Sequence, residues 1–287
     1  MRVPAQCPRC REIDERRQSM HEVSAGKRSH DLPVYDLHEA DAAHVHSGRL
    51  TLRCKQGHTT VVTLPLPAFE LLFDFGCSAL LDGDSLGAVT HFSSSFERFE
   101  EFTCRFLLAR RNVSFEGVDS WWKEVATRSE RQVGSFVALW ISDFFGPPPL
   151  LPRKLVEFRN ACVHKGRIPT ESEAKAYGEA VLRKEVSGII TLRNCFDSEL
   201  DYDDFVDHHI IRPDPNEPDV PSFVGNTVLS GMWRPNEPSP DEDEPESGEG
   251  LQIRDQKQKN TTDPTRLTMD RALQTFAALR SLGIRRT

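Results

Sequence analysis

Four phenylalanines and a threonine fix the fold class. Phe92, Phe96, Phe99, Thr103 and Phe106 recur at steps of four and three, and such steps align side chains along one face of an α-helix. A face this apolar must be covered, so the stretch 85–111 is expected to be a central helix of an all-α core. Its neighbours show the same periodicity. AFELLFDFGCSALL, which begins at Ala68, is a compact apolar helix, and DGDSLGAV separates it from the central one with Asp84 or Ser85 as N-cap. A third helix is expected over about 119–143, carrying Trp121, Trp122, Val125, Val133, Phe136, Val137, Trp140 and Ile141 until GPPPLLP stops it. A fourth runs from Pro152 to His164 and ends at Lys165-Gly166, with the glycine in the left-handed conformation. Thr170 and Glu173 form a capping box for a fifth, over about 171–186. A last helix, about 265–282, carries Leu267, Leu273, Phe276, Ala277, Leu279 and Leu282, and is expected to dock onto the body or onto a second protomer.

The fold class is therefore mainly α, with 287 residues giving room for a well-buried core. A helical bundle is expected over 67–196, preceded by a small β-rich module over 1–66 and followed by an acidic, Pro-rich, partly disordered insert over 197–264 and a C-terminal helix over 265–287. In the first segment GRLTLRC and HTTVVTLPL read as strands flanking a tight CKQGH turn, while residues 11–46 are polar and receive no assignment. No apolar run approaches the roughly 18 residues that span a bilayer. The amino terminus MRVPAQCPRC lacks the apolar stretch of a secretory signal, so a cytoplasmic protein without a membrane partner is expected.

The net charge of −8 argues at first against a nucleic-acid partner. That average conceals two opposite regions. Between Asp197 and Gly250 sixteen acids face only Arg212 and Arg234, a local charge of −14, which leaves +6 on the rest of the chain. A polyanion tethered to a mildly basic body could be a plain solubilising linker, or could compete with RNA for a basic cleft at high effective concentration. Within that insert Asp201, Asp203, Asp204, Asp207, His208 and His209 read as a solvated acidic stretch rather than a metal site.

Seven cysteines, two of them in a CPRC pair, fit reduced thiols and metal ligation better than a disulfide framework. CPRC offers Cys7 and Cys10, and CKQGH offers Cys54 and His58 with Gly57 permitting the turn. Cys7, Cys10, Cys54 and His58 make a tetrahedral set for a structural zinc ion, with His21, His30, His38, His44 or His46 as substitutes for His58. Four filled positions leave none open for catalysis, so such an ion would serve to fold the module.

The fourth helix ends in a polar constellation, LVEFRNACVHKG. Asn160 and His164 share a face at i and i+4, Arg159 sits on the adjacent edge, and Leu155, Phe158 and Val163 anchor the other side. On spacing alone the plainer explanation prevails: solvated polar groups whose cations complement the helix dipole. Cys162, inside the motif, reads as a small packing residue and not as a nucleophile.

FRNACVHKGRIPTESEAKAYGEAVL, preceded by GDSLGAVTHFSSSFERFEEF, resembles the HEPN superfamily, the higher eukaryote and prokaryote nucleotide-binding domains, over about residues 67–190. The shared features are an arginine (Arg159), a polar residue directly after it (Asn160), four intervening residues in all before a histidine (His164), then Lys-Gly and a Pro-Thr that opens the next helix. The resemblance implies a metal-independent endoribonuclease that leaves 2′,3′-cyclic phosphate and 5′-OH ends. The chemistry suits these side chains. Histidine exchanges protons near neutral pH, guanidinium grips two phosphate oxygens, and Asn160 would orient histidine or substrate. One histidine cannot be acid and base at once, and the family's solution is a homodimer with facing motif helices. By the same resemblance the setting is a toxin or phage-defence (abortive infection) system, with a regulatory protein partner left open. The alternatives are a non-catalytic module that binds RNA or a nucleotide, and a zinc-dependent scaffold.

Overall fold

The computed structural model describes residues 2–5, 9–10, 36–41, 49–54, 56–63, 66–194, 205, 227, 229 and 267–282. This part of the chain is mainly helical. Its seven long helices are α1 (Ala68–Leu81), α2 (Ser85–Arg110), α3 (Phe115–Val125), α4 (Ser129–Phe144), α5 (Arg153–Lys165), α6 (Glu171–Asn194) and α7 (Met269–Leu282).

The phenylalanine face of α2 explains the arrangement. Phe92, Phe99 and Phe106 are fully buried, and α2 packs against α1, α3, α4, α5 and α6 while α7 closes over α1 and α6. Phe69 meets Phe99 edge-on with ring centroids 5.5 Å apart, and Phe136 of α4 approaches the same ring at 6.3 Å. α6 gains its closeness from glycine: a Cβ at Gly178 would stand 2.6 Å from a ring carbon of Phe92, and one at Gly188 only 2.3 Å from Phe99. Three residues of the stretch expected to form the acidic insert also reach this core. Phe205 and Leu229 are buried in it, with Phe205 edge-on to Phe102 and Phe106 at 5.4 and 5.1 Å, and Thr227 donates a hydrogen bond to Glu70. The remaining residues of that insert, including His208 and His209, lie outside the described residues.

Local chemistry sets the helix ends. Asp84 caps α2 by accepting from the Gly87 amide at 2.8 Å. Thr170 and Glu173 cap α6 reciprocally, the Glu173 amide donating to Thr170 Oγ1 at 3.2 Å and the Thr170 amide to Glu173 Oε2 at 2.9 Å. Gly166 ends α5 with φ of 71°. The helix expected over 119–143 is in fact two. α3 begins earlier, behind the Ser114 cap, and Arg128 is extended between α3 and α4. Arg131 and Gln132 donate to the carbonyls of Glu124 and Ala126 at 2.9 and 3.0 Å, which pairs the end of α3 and makes the break affordable. α6 runs eight residues past the expected 186 because Val186, Ile189 and Leu192 extend its buried stripe.

At the amino-terminal end four strands, β1 (Arg2–Ala5), β2 (Asp36–Asp41), β3 (Arg49–Arg53) and β4 (Thr59–Thr63), form an antiparallel sheet in the order β1-β2-β3-β4. Val3 pairs with His38, Glu39 with Arg53 and Thr51 with Val61. β3 and β4 match the two sequence expectations. β2 falls in a stretch without alternation, DLHEAD, and had no assignable signal. Among the described residues no helix is long and apolar enough to cross a membrane.

Candidate functional site

α5 is held by its inner side. Cys162 is buried, Phe158 packs against Tyr177 of α6 with centroids 5.8 Å apart, and the Arg167 guanidinium lies 4.9 Å over the Phe158 ring. Burial pushes the Cys162 thiol up, which removes the thiolate a nucleophile needs. Leu155 and Phe158 pack against the core as expected, but Val163, expected to anchor with them, is exposed on the outer side together with Val156, His164 and the following Ile168.

Arg159 occupies the edge between these sides and reaches α2. Its Nε donates to Ser93 Oγ at 2.7 Å, its Nη1 to Asn160 Oδ1 at 3.0 Å, and its Nη2 forms an ion pair with Glu97. Ser93 and Glu97 stand one turn apart on α2, so they address the same guanidinium. Tyr177 joins from α6. Burial raises its phenol above the usual value, against hydrogen bonds with Ser93 and Arg159 that pull the other way. Arg159 and Asn160 are thus brought together, as their spacing predicts. His164 stands apart, exposed and without a hydrogen bond or ion pair among the described residues. Ser93, Glu97 and Tyr177 were not singled out in the sequence. The usable signal was the polar run SSSFE, which interrupts the phenylalanine helix and needs partners somewhere.

A second polar network lies deeper, between α1, α2 and α6. Ser95 Oγ is 2.7 Å from both the Phe69 carbonyl and Glu185 Oε1. A hydroxyl has one proton, so it can donate to only one of these two acceptors. Burial raises the Glu185 carboxyl well above its ordinary value, against the Ser95 hydrogen bond that lowers it and with a further push from Glu70. A protonated Glu185 donating to Ser95, which donates to Phe69, gives each of the two short contacts its own proton. Glu185 Oε2 has no partner among the described residues.

The turn between β3 and β4 builds a third cluster. The Gly57 amide donates to the Cys54 carbonyl at 2.9 Å and the Cys54 amide to the His58 carbonyl at 3.0 Å, with Gly57 at φ of 82°. This curl aims Cys54 and His58 at Cys10. Cys10 Sγ lies 3.8 Å from Cys54 Sγ and 3.4 Å from His58 Nδ1, and the three ligand atoms fall within 4.8 Å of one another. The sulfurs are far beyond the roughly 2.05 Å of a disulfide. Tetrahedral zinc with bonds of about 2.3 Å to sulfur and 2.0–2.1 Å to nitrogen would set the ligands about 3.8 and 3.5 Å apart. The donor set and its spacings fit a metal ion. Cys7, the expected fourth ligand, lies outside the described residues.

Along α6 a groove of about 480 Å³ is lined by Pro152, Ala176, Lys175, Arg183 and Lys184 among others, and none of the α5 polar groups enters it. No protein-family model matches the chain, and neither the curated proteins nor the solved structures contain a significant match to it.

Proposed function

We propose that this chain is a HEPN-type endoribonuclease that works as a homodimer without a catalytic metal, with Arg159, Asn160 and His164 as its site. The observation that carries the proposal is an asymmetry along one helix: Arg159 is fixed by Ser93 and Asn160, while His164 stands exposed at the end of the same helix. Phosphate binding needs the first property, because a preorganised guanidinium loses little freedom on binding. Proton transfer needs the second, because the imidazole must reach the 2′-OH or the 5′-oxygen of a bound strand. A second copy would supply the other imidazole. Support for that contact comes from Val156 and Val163, apolar yet exposed beside Asn160, and from Ile168, 81% exposed just beyond the helix.

In this scheme His164 of one copy takes the 2′-OH proton, His164 of the other protonates the leaving 5′-oxygen, and the two Arg159 side chains hold the charge that develops on phosphorus. The products are 2′,3′-cyclic phosphate and 5′-OH ends. Zinc held by Cys7, Cys10, Cys54 and His58 would be structural, joining the amino-terminal stretch to the β3–β4 turn. A toxin or phage-defence role fits a ribonuclease of this kind.

The test is incubation of purified protein with total RNA, with and without added magnesium, followed by chemical identification of the ends. Cleavage in both conditions, lost in His164→Ala at unchanged thermal stability, is the expected result. RNA binding without cleavage would replace the enzyme with a binding module. Strict dependence on added magnesium, or a protein that stays monomeric while it cleaves, would overturn the scheme.

A further inference from the structure

The ion pair between Arg159 and Glu97 is unequal, and the inequality assigns a role to the glutamate. Arg159 is held twice more, by Ser93 at 2.7 Å and by Asn160 at 3.0 Å, and its side chain is only 20% exposed. Glu97 is 35% exposed, and Arg159 is its one ion-pair partner among the described residues. If the pair opens, the guanidinium keeps its position and the carboxylate swings into water. The two charges also cancel while paired, so the cation presents little attraction to an incoming phosphodiester.

We infer that Glu97 is a resident anion on Arg159, an internal competitor that a phosphodiester has to displace before the arginine can grip it. This rests on the reading of the α5 edge as phosphate-facing, and it adds a regulatory element that Arg159, Asn160 and His164 do not contain. The exchange is physically reasonable. A partly exposed ion pair contributes little, and a phosphate offers the fixed guanidinium two oxygens in place of one carboxylate. Whatever draws Glu97 away, a positively charged partner or the second copy, would raise the affinity of the site for RNA.

The experiment uses the full chain and a 2′-O-methyl oligoribonucleotide, which has the phosphodiester backbone but no 2′-OH to react. Binding is followed by fluorescence anisotropy across a salt series. Glu97→Gln keeps the shape and the acceptor oxygen while removing the charge, and it should tighten binding about three- to fivefold at low salt. It should also steepen the dependence of log Kd on log salt concentration by about 0.7, as one more cation engages the strand. The gain should vanish when Arg159→Gln is added. Glu97→Asp, which withdraws the carboxylate by one methylene, should give a smaller gain in the same direction and serves if the first variant folds poorly. Equal or weaker binding by both glutamate variants overturns the inference, as does a gain that survives Arg159→Gln. If the gain appears but no variant cleaves RNA, the ribonuclease proposal fails and the Glu97 competitor stands.

Discussion

Ser93 and Ser95 sit two residues apart on α2 and lead into opposite environments. Ser95 faces inward and joins Glu185 to the Phe69 carbonyl in a network sealed from water. Ser93 faces α5 and holds an arginine whose other contacts, Asn160 and Glu97, lie towards solvent. The same side chain on the same helix thus serves stability in one place and a prospective reaction site in the other. The controlling difference is access. A sealed network can only satisfy itself, whereas a half-open one keeps its members positioned and still reachable.

Loss of His164 should give the largest effect. His164→Ala is expected to reduce RNA cleavage by a factor of about 100 or more, the usual contribution of a proton-transfer group, with no change in melting temperature because the imidazole has no partner among the described residues. A drop in melting temperature equal to that of a core variant would place His164 on the structural side of the comparison. The sealed side should respond in the reverse manner. Ser95→Ala leaves Glu185 and the Phe69 carbonyl without their shared hydroxyl and should cost about 1–3 kcal/mol, read from denaturant unfolding, with cleavage per folded molecule unchanged.

These two environments were legible in the sequence to different degrees. The helical periodicity of Phe92, Phe96, Phe99 and Phe106 carried α2 to within a residue of its observed end, because burial of aromatic rings is a strong and regular signal. The caps at Asp84, Thr170 and Gly166 were also visible, since each depends on residues close in the chain. Ser93, Glu97 and Tyr177 were not, because the contacts of Arg159 with Ser93 and Glu97 cross 66 and 62 residues of sequence and no local pattern encodes them. Glu185 was hidden for the same reason: a charged residue in a helix pattern reads as exposed until its neighbours are known. The cluster of Cys10, Cys54 and His58 was legible through ligand chemistry alone, as the Cys-x-x-Cys and Cys-x-x-x-His spacings advertise it without reference to the fold.

Proton uptake offers a third separation. Glu100, on α2 and 4% exposed, has its carboxyl pushed up to about 8, chiefly by burial and against the pull of Arg98. Between the ordinary 4.5 and about 8 the folded chain holds a proton that the unfolded chain has released. Stability from this group is therefore full below 4.5 and declines as pH rises towards 8, by up to about 1.4 kcal/mol per pH unit. Glu100→Gln should flatten that decline, so that its melting temperature exceeds that of the wild type at pH 8 and matches it near pH 4.5. A variant whose stability follows the wild-type pH dependence in parallel would show that Glu100 is ionised in the folded state.

The smallest effect should come from an ion pair on the same helix as Arg159. Arg153 Nε meets Glu157 Oε1 at 2.9 Å, with side chains 92% and 63% exposed. Both charges are already solvated, and holding two long side chains together costs entropy that offsets the attraction. Glu157→Gln should change stability by less than about 0.5 kcal/mol and binding of a 2′-O-methyl oligoribonucleotide by less than about twofold. Glu97→Gln removes the same charge from a neighbouring helix, where the arginine is fixed by other groups and aimed at one place. If the two variants bind the strand alike, the added charge acts only through the overall field of the protein. A gain confined to Glu97→Gln would locate the effect in the held guanidinium, because only there does removing the carboxylate uncover a cation that is already in position.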